Sequence, residues 1–510
     1  MAAARALERC LERAGAAGPG LFVGSPAREG ARAAAAASDA RRAGGAGMGA
    51  GAASDAGRLR SALDGAPVVV KDNFLWEGRT CTAASGVLQG FTAPVSSTVV
   101  RRLEALGSVL VGQTNMDEFG MGSFGLNSVH GPVSGPRGRV AGGSSSGSAA
   151  AVAAGAALLG IGSDTGGSVR LPAAFCGLAG FKPSYGRLSR SGLIAYASSL
   201  DCPGVIARDV TTAFAAVAAL QGVDGEDMVC LDADVDLAQK PAFRNLVEGG
   251  GAEGLAESPK SLLQGLRVGI PQEYHVEEMC PEVLETWRAG AEALQAHGAT
   301  VVPVSLPHTD LALPAYYLIA TAEAASNFAR YDSLRYGFAQ GAAEASGTDD
   351  LHSALVAVRS ASFGEEVRGR MMLGTFAVSA ENAASYHTKA QQIRTLVLRD
   401  FKEAFTLVDV LLAPTSARAA PTAEEAEAMG VVEGYATDAM TVPASLAGLP
   451  AISVPFAQCR TSGLPIGLQL VGQYGAELSL LAPGRALELL RPECRGDLVA
   501  PFHPLDGMSG

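Results

Sequence analysis

The chain has 510 residues, 48% of them hydrophobic and 18% charged, with 63 glycines and only 6% aromatics. That length suits two or three domains or one large α/β unit, and the Gly-rich, aromatic-poor composition suits tight backbone packing. A formal net charge of −12 without a basic block argues against a direct grip on tRNA or DNA, which draws its affinity from Lys and Arg on phosphates.

No apolar run reaches the roughly 18–20 residues needed to span a bilayer. Eight scattered cysteines include no CxxC pair, which suits a reducing compartment and excludes both a disulfide framework and a zinc site. The histidines are dispersed without an HxxxH or HExxH pattern, so no metal site is expected.

The N-terminal stretch, residues 1–56, reads as a helix at Ala3–Ala16 followed by a Gly/Ala-rich low-complexity segment. Arg5, Arg9 and Arg13 fit a mitochondrial presequence, whereas Glu8 and Glu12 fit an ordinary surface helix. Residues 57–510 read as one α/β domain, because strand and helix patterns alternate along them. Pro67–Val70 is a short apolar strand. Ser97–Leu106 is a helix with a Ser N-cap, stopped by Gly107, and Ser108–Val111 a strand. A Gly/Ser loop, Gly142–Gly147, precedes the apolar stretch Ala149–Ile161, which reads as a buried helix. Further strands are expected at Leu266–Ile270, Thr300–Val304, Val408–Ala413, Ala451–Val454 and Ile466–Val471. Helices are expected at Glu282–His297, Ala315–Tyr331, Glu381–Phe405 and Glu477–Leu490. Residues 246–260, 341–350 and 420–433 are polar or Gly-bearing and read as surface insertions.

The densest unusual region is Gly142–Pro172, with two Gly/Ser clusters around one apolar segment. The first contains G-x-S-x-G centred on Ser145, formally a nucleophile elbow. Arg137–Val140 is no buried strand, however, and no histidine follows until His275, which disfavours a Ser-His-Asp hydrolase. The second, Asp164-Thr165-Gly166-Gly167-Ser168, is more informative. Consecutive glycines let backbone N–H groups converge on a developing oxyanion, and Ser168 follows them as a candidate nucleophile. Lys71, at the end of the Val68–Val70 run, is the candidate base, since burial strips a lysine of its charge and lets it accept a proton. On these residues alone Lys71 also fits a solvated strand-end lysine, and both clusters also fit flexible loops.

The runs GGSSSGSAAAVAAG and GSDTGGSVRLPAAFCG strongly resemble the signature of the amidase signature family. The resemblance implies an α/β amidase-signature fold, a large mixed β-sheet covered by helices on both faces. It also implies a Ser–cis-Ser–Lys triad in which Ser168 is the acyl-forming nucleophile, Ser144 the bridging serine after a cis peptide bond and Lys71, in VKDN, the base. Thr165, Gly166 and Gly167 would supply the oxyanion amides. GQTNMDEFGMGS (112–123), GLAGFKPSYGRLSRSGLI (177–194), EAASNFARYDSLRYG (323–337), VRGRMMLGTF (367–376) and PASLAGLPAISVP (443–455) resemble one branch of that family. Its members hydrolyse glutamine and pass the ammonia to a tRNA-dependent amidotransferase. Matching positions place the glutamine pocket at Tyr316 (or its neighbour Tyr317), Arg370 for the α-carboxylate and Asp438 for the α-ammonium. The implied partners are the amidotransferase B subunit, which would carry ATP, Mg and the charged tRNA, and a small third subunit. The alternative is a stand-alone amidase acting on another small amide.

Four residues depart from the family pattern. Ser146 stands in place of Gly, Gln113 in place of Lys, Phe124 in place of a small polar residue and Ser445 in place of Asn. SLDCPGVIAR (199–208) and VRGR (367–370) look closer to organellar versions, so the mitochondrial matrix is the expected location, with the cytoplasm as the alternative.

Overall fold

The computed structural model describes residues 2–17, 20–45, 60–231, 263–332, 335–337 and 350–492. The insertion expected at 246–260, and all but the last residue of the one expected at 341–350, lie outside the described residues.

The chain opens with helices α1 (Ala2–Ala16) and α2 (Arg28–Gly45), then strand β1 (Pro67–Lys71), helix α3 (Thr98–Ala105) and strand β2 (Val109–Thr114). Ser97 caps α3 as its sequence pattern indicates, its hydroxyl accepting from the Val100 amide. Helix α4 (Ser146–Ala154), strand β3 (Leu159–Ser163), helix α5 (Arg170–Cys176), strands β4 (Ala179–Lys182) and β5 (Pro203–Ala207) and helix α6 (Val210–Leu220) complete the first half. The second half runs β6 (Arg267–Pro271), α7 (Pro281–Ala296), β7 (Thr300–Val304), α8 (Ala312–Phe328), α9 (Leu351–Ser362), α10 (Glu365–Val378), α11 (His387–Leu407) and β8 (Val410–Pro414). It closes with α12 (Ala423–Ala428), α13 (Val431–Ala436), α14 (Val442–Leu446), β9 (Ala451–Gln458), β10 (Pro465–Gly472) and α15 (Leu481–Leu490).

Among the described residues, ten strands join one mixed sheet in the order β2-β1-β3-β5-β4-β9-β10-β8-β6-β7. β1 runs parallel to both β2 and β3, the strands from β3 through β5, β4, β9 and β10 to β8 pair antiparallel in turn, and β6 runs parallel to β8 and β7. Side chains alternate across a strand, and the alternation sorts the apolar residues into two cores. Val68, Val70, Leu110, Val205 and Ala207 join the core under α3 and α6, whereas Val69, Val109, Val111 and Ile206 join the one under α1 and α4. Helices therefore cover both faces. Among the described residues, no helix is long and apolar enough to cross a membrane.

Three readings of the sequence change. The stretch after the first helix, read as a low-complexity segment, carries α2, whose Ala31 and Ala35 join the core under α1 and α4. The apolar stretch Ala149–Ile161 is not one helix: α4 stops at Ala154, Gly155 caps it in the left-handed region (φ 74°), and the chain re-enters the sheet as β3. The 420–433 stretch is not a loop but carries α12 and the first residues of α13. Thr422 and Glu425 form a capping box that starts α12.

Candidate active site

Lys71 ends β1 and Ser163 ends the parallel neighbour β3, so both side chains emerge at the carboxyl edge of the sheet, where open α/β sheets place their ligands. The Lys71 ammonium nitrogen Nζ donates to Ser144 Oγ at 2.8 Å, to Ser163 Oγ at 2.9 Å and, more distantly, to the Ser163 carbonyl at 3.4 Å. Asn73 adds a second donor to Ser163 Oγ. Lys71 is fully buried, and that burial lowers its pKa from 10.5 to about 7 against the opposing pull of Asp117, Asp164 and Asp201. A group with that pKa is divided between charged and neutral forms at physiological pH, as a proton acceptor needs to be.

The Gly143–Ser144 peptide is cis, and Ser144 is completely buried. Ser145, the centre of the apparent elbow motif, plays a different part: its amide donates to the Ser168 carbonyl at 3.1 Å and its hydroxyl to the Ser163 carbonyl at 3.3 Å. It thus ties the two serine loops together. Ser168, half-buried between β3 and α5, is the more accessible of the three serines.

The intervening turn is held from both sides. Thr165 Oγ1 donates to Asp201 at 2.8 Å, and Thr441 Oγ1 donates to the Gly166 carbonyl at 2.7 Å. A Cβ on Gly166 would stand 2.6 Å from the Tyr316 hydroxyl, and one on Gly167 would overlap Thr441. Glycine is therefore required at both positions by contact. Beneath the turn, buried Arg170 binds both oxygens of Asp164, the Thr441 carbonyl, Gln469 and Ser445. Burial alone would raise Asp164, but the Arg170 guanidinium overrides it and holds the carboxyl below its ordinary range.

The residues expected to bind glutamine, Tyr316 or Tyr317, Arg370 and Asp438, lie beside this turn. Arg370, on α10, is 4% exposed, with Nε donating to Glu366 at 2.7 Å and Nη1 to the Tyr196 hydroxyl at 3.0 Å. Its guanidinium lies 5.1 Å from the ring centres of both Tyr317 and Tyr435, which stack on each other at 4.0 Å. Arg370 is thereby desolvated on its aromatic sides. Asp438 accepts from Ser123 Oγ at 2.8 Å, and the Tyr317 hydroxyl approaches it at 3.5 Å. Burial raises the Asp438 carboxyl to about 6. Of the two adjacent tyrosines, Tyr317 stands between the cation and the anion, whereas Tyr316 stands against the Gly166 turn.

The four departures from the family pattern fall into distinct surroundings. Ser445 keeps a hydrogen bond, to Arg170 at 2.7 Å, and Phe124 packs beside Val140, Leu171 and Phe175. Gln113 reaches Asp72 at 3.3 Å, and burial pushes that carboxyl up to about 7. The Ser146 hydroxyl is buried without a hydrogen-bond partner. Sequence reasoning missed Ser123, Ser163, Tyr196, Glu366, Tyr435 and Thr441. Ser163, inside the GSDTGGS run, and Glu366, one helical turn before Arg370, carried local signals, whereas the others come from remote elements.

Fold and site together define an α/β enzyme with serine and lysine, rather than histidine, at its centre. The amidase family model matches residues 5–481, and the chain belongs to the amidase family. It is 45% identical over 433 residues to the A subunit of the glutamyl-tRNA(Gln) amidotransferase of Gluconobacter oxydans (strain 621H), a match covering 84% of this chain and 82% of that one. Among solved structures, the A subunit of the glutamyl-tRNA(Gln) amidotransferase from Thermotoga maritima aligns with a TM-score of 0.69 at 32% identity, covering 95% of this chain and 94% of that chain. The native peptide amidase of Stenotrophomonas maltophilia aligns with a TM-score of 0.72 at 27% identity, covering 96% and 93%.

Proposed function

We propose that this chain is the glutamine-hydrolysing subunit of a Glu-tRNA(Gln) amidotransferase, acting through Ser168, Ser144 and Lys71. Neutral Lys71 takes a proton from Ser144 as Ser144 takes one from Ser168. The Ser168 oxygen then attacks the side-chain amide carbon of glutamine, and the amides of the Thr165–Gly167 turn receive the oxyanion. The proton returns through Ser144 to the departing nitrogen, which leaves as ammonia. Water then attacks the acyl-enzyme by the same relay in reverse and releases glutamate. The ammonia passes to the partner B subunit, which holds ATP and Mg and converts Glu-tRNA(Gln) to Gln-tRNA(Gln), with a small third subunit completing the complex.

The observation that carries this reading is a pair of opposite charges, buried Arg370 and half-buried Asp438, with Tyr317 between them. A free amino acid brings a carboxylate toward Arg370 and an ammonium toward Asp438, whereas a neutral amide acted on by a stand-alone amidase brings no charge for either. The acidic chain agrees with leaving tRNA to the partner. The location proposed is the mitochondrial matrix, on the SLDCPGVIAR and VRGR segments. Cell fractionation distinguishes it from the cytoplasm. The functional test is ammonia release from L-glutamine by wild type and Arg370→Ala, with and without the co-expressed B subunit. Partner-stimulated, Arg370-dependent release supports the proposal, and cleavage of simple amides with glutamine untouched sinks it.

A further inference from the structure

Two adjacent acidic residues, Asp117 and Glu118, are buried and take no part in the chemistry above. The Asp117 amide donates to the Ser144 carbonyl at 3.2 Å. Its carboxylate accepts from the amides of Gly125 at 3.0 Å and Asn127 at 2.9 Å. Those amides belong to the loop that carries Ser123, the hydrogen-bond partner of Asp438. The fit is close, since a Cβ on either Gly122 or Gly143 would overlap the Asp117 side chain. Glu118 faces elsewhere. Its carboxylate accepts from the Ser85 hydroxyl and, at 2.8 Å, from the amide of Gly364, the N-cap residue of α10. A Cβ on Gly364 would overlap Glu118, so helix and carboxylate are pressed together. Arg370 lies on that helix, in its second turn.

We propose that Asp117 and Glu118 are positioning residues that lock the two halves of the site together. Asp117 sets the Ser144 loop and the Asp438 end of the pocket, and Glu118 sets α10 and with it Arg370. The pocket half rests on the glutaminase reading, and the Ser144 half does not. The Ser144 half also has an electrostatic consequence. Asp117 is the foremost of the charges that favour protonated Lys71, so removing its charge lets the lysine lose its proton at lower pH.

Asp117→Asn and Glu118→Gln, made in the full chain co-expressed with its partner, test this by two readouts. The first is the pH dependence of Ser168 phosphonylation by a small fluorophosphonate, which needs no glutamine. The second is KM and kcat for glutamine hydrolysis. In Asp117→Asn the labelling midpoint is expected to move to lower pH and KM to rise. In Glu118→Gln the midpoint stays in place while KM rises roughly tenfold, the scale of one hydrogen bond to a charged group. A labelling midpoint and KM unchanged in Asp117→Asn, or an unchanged KM in Glu118→Gln, overturns the proposal for that residue. If Asp117→Asn fails to fold, Ser123→Ala tests the same loop, and an unchanged KM there overturns the link to Asp438. Wild type that takes the phosphonate but leaves glutamine intact refutes the glutaminase reading, and the labelling midpoint then still decides the role of Asp117.

Discussion

The hydroxyl of Thr441 donates to the carbonyl of Gly166 and occupies the space that a side chain on Gly167 would need. A trans peptide points its N–H opposite to its carbonyl, so a bond that fixes the Gly166 carbonyl also aims the Gly167 amide away from Thr441. Residues 275 positions apart in the chain thereby set the direction of one proposed oxyanion donor. In Gly167→Ala the added methyl displaces either the turn or Thr441. Overpacking of this kind costs about 1–3 kcal/mol, and losing one oxyanion donor costs on the order of 100-fold in kcat. Thermal unfolding and glutaminase kinetics should show both losses. Adding Thr441→Gly should recover part of the lost stability, and no recovery would mean the clash lies elsewhere.

Activity should rise with pH through about 7. Lys71 must be neutral to accept a proton, and burial brings its pKa down to that value. A pH profile of kcat/KM in the partner-bound enzyme checks this, and an acid limb near the ordinary lysine value would contradict it. Lys71→Ala should lower kcat by roughly 100- to 10,000-fold, the usual scale of a general base.

Arg370→Lys keeps the charge but loses the planar contact with Tyr317 and Tyr435 and the forked geometry a carboxylate accepts. The expected result is a KM for glutamine raised by about tenfold or more, against little change for an amide without an α-carboxylate. Equal losses on both substrates would place Arg370 in general scaffolding.

Ser146 buries a hydroxyl with no partner. Removing a polar group that is already unsatisfied relieves a desolvation penalty, so Ser146→Ala should raise stability by about 1 kcal/mol. Denaturant unfolding measures it, and a loss of stability would show that the hydroxyl is satisfied in solution.

Asp72 gives a pH-dependent signature. Its carboxyl is raised from 3.8 to about 7 by burial. Between those values the folded protein keeps a proton that the unfolded chain has released, so this group's contribution makes stability fall as pH rises from about 4 to 7. Asp72→Asn removes that slope. Melting curves for both proteins between about pH 4 and 8 should diverge, with wild type losing more, and parallel curves would exclude the effect.

Most of the strands and long helices could be read from the chain because their apolar periodicity is local. β3 could not, because Gly160 and Gly162 leave only three side chains in it, and its alternation merges with the Ala-rich helix before it. Gly155 was the available stop signal. Lys71, Ser144 and Ser168 stand out as candidates in the sequence because two of them sit in one Gly/Ser region and the third follows a strand. The cage around Arg370 does not. Tyr196, Tyr317 and Tyr435 come from three segments remote from α10, and only packing brings their rings to the Arg370 guanidinium, whereas Glu366 meets it one turn along the same helix. The one-residue ambiguity between Tyr316 and Tyr317 has the same origin. Both are buried on α8, and only the third dimension says which ring meets which group.

The sheet joins the early and late parts of the chain at a single seam, where β4 pairs with β9. Lys71, Ser144 and Ser168 lie on the early side, while Arg370, Asp438 and Thr441 arrive from the late side. A nascent chain that has emerged only as far as β5 already carries the nucleophile but ends its sheet at the open edge of β4. Premature stop codons anywhere before β9 therefore leave an exposed strand edge together with a half-built pocket. Such truncated products are expected to be cleared by quality-control proteases rather than to persist as partial enzymes.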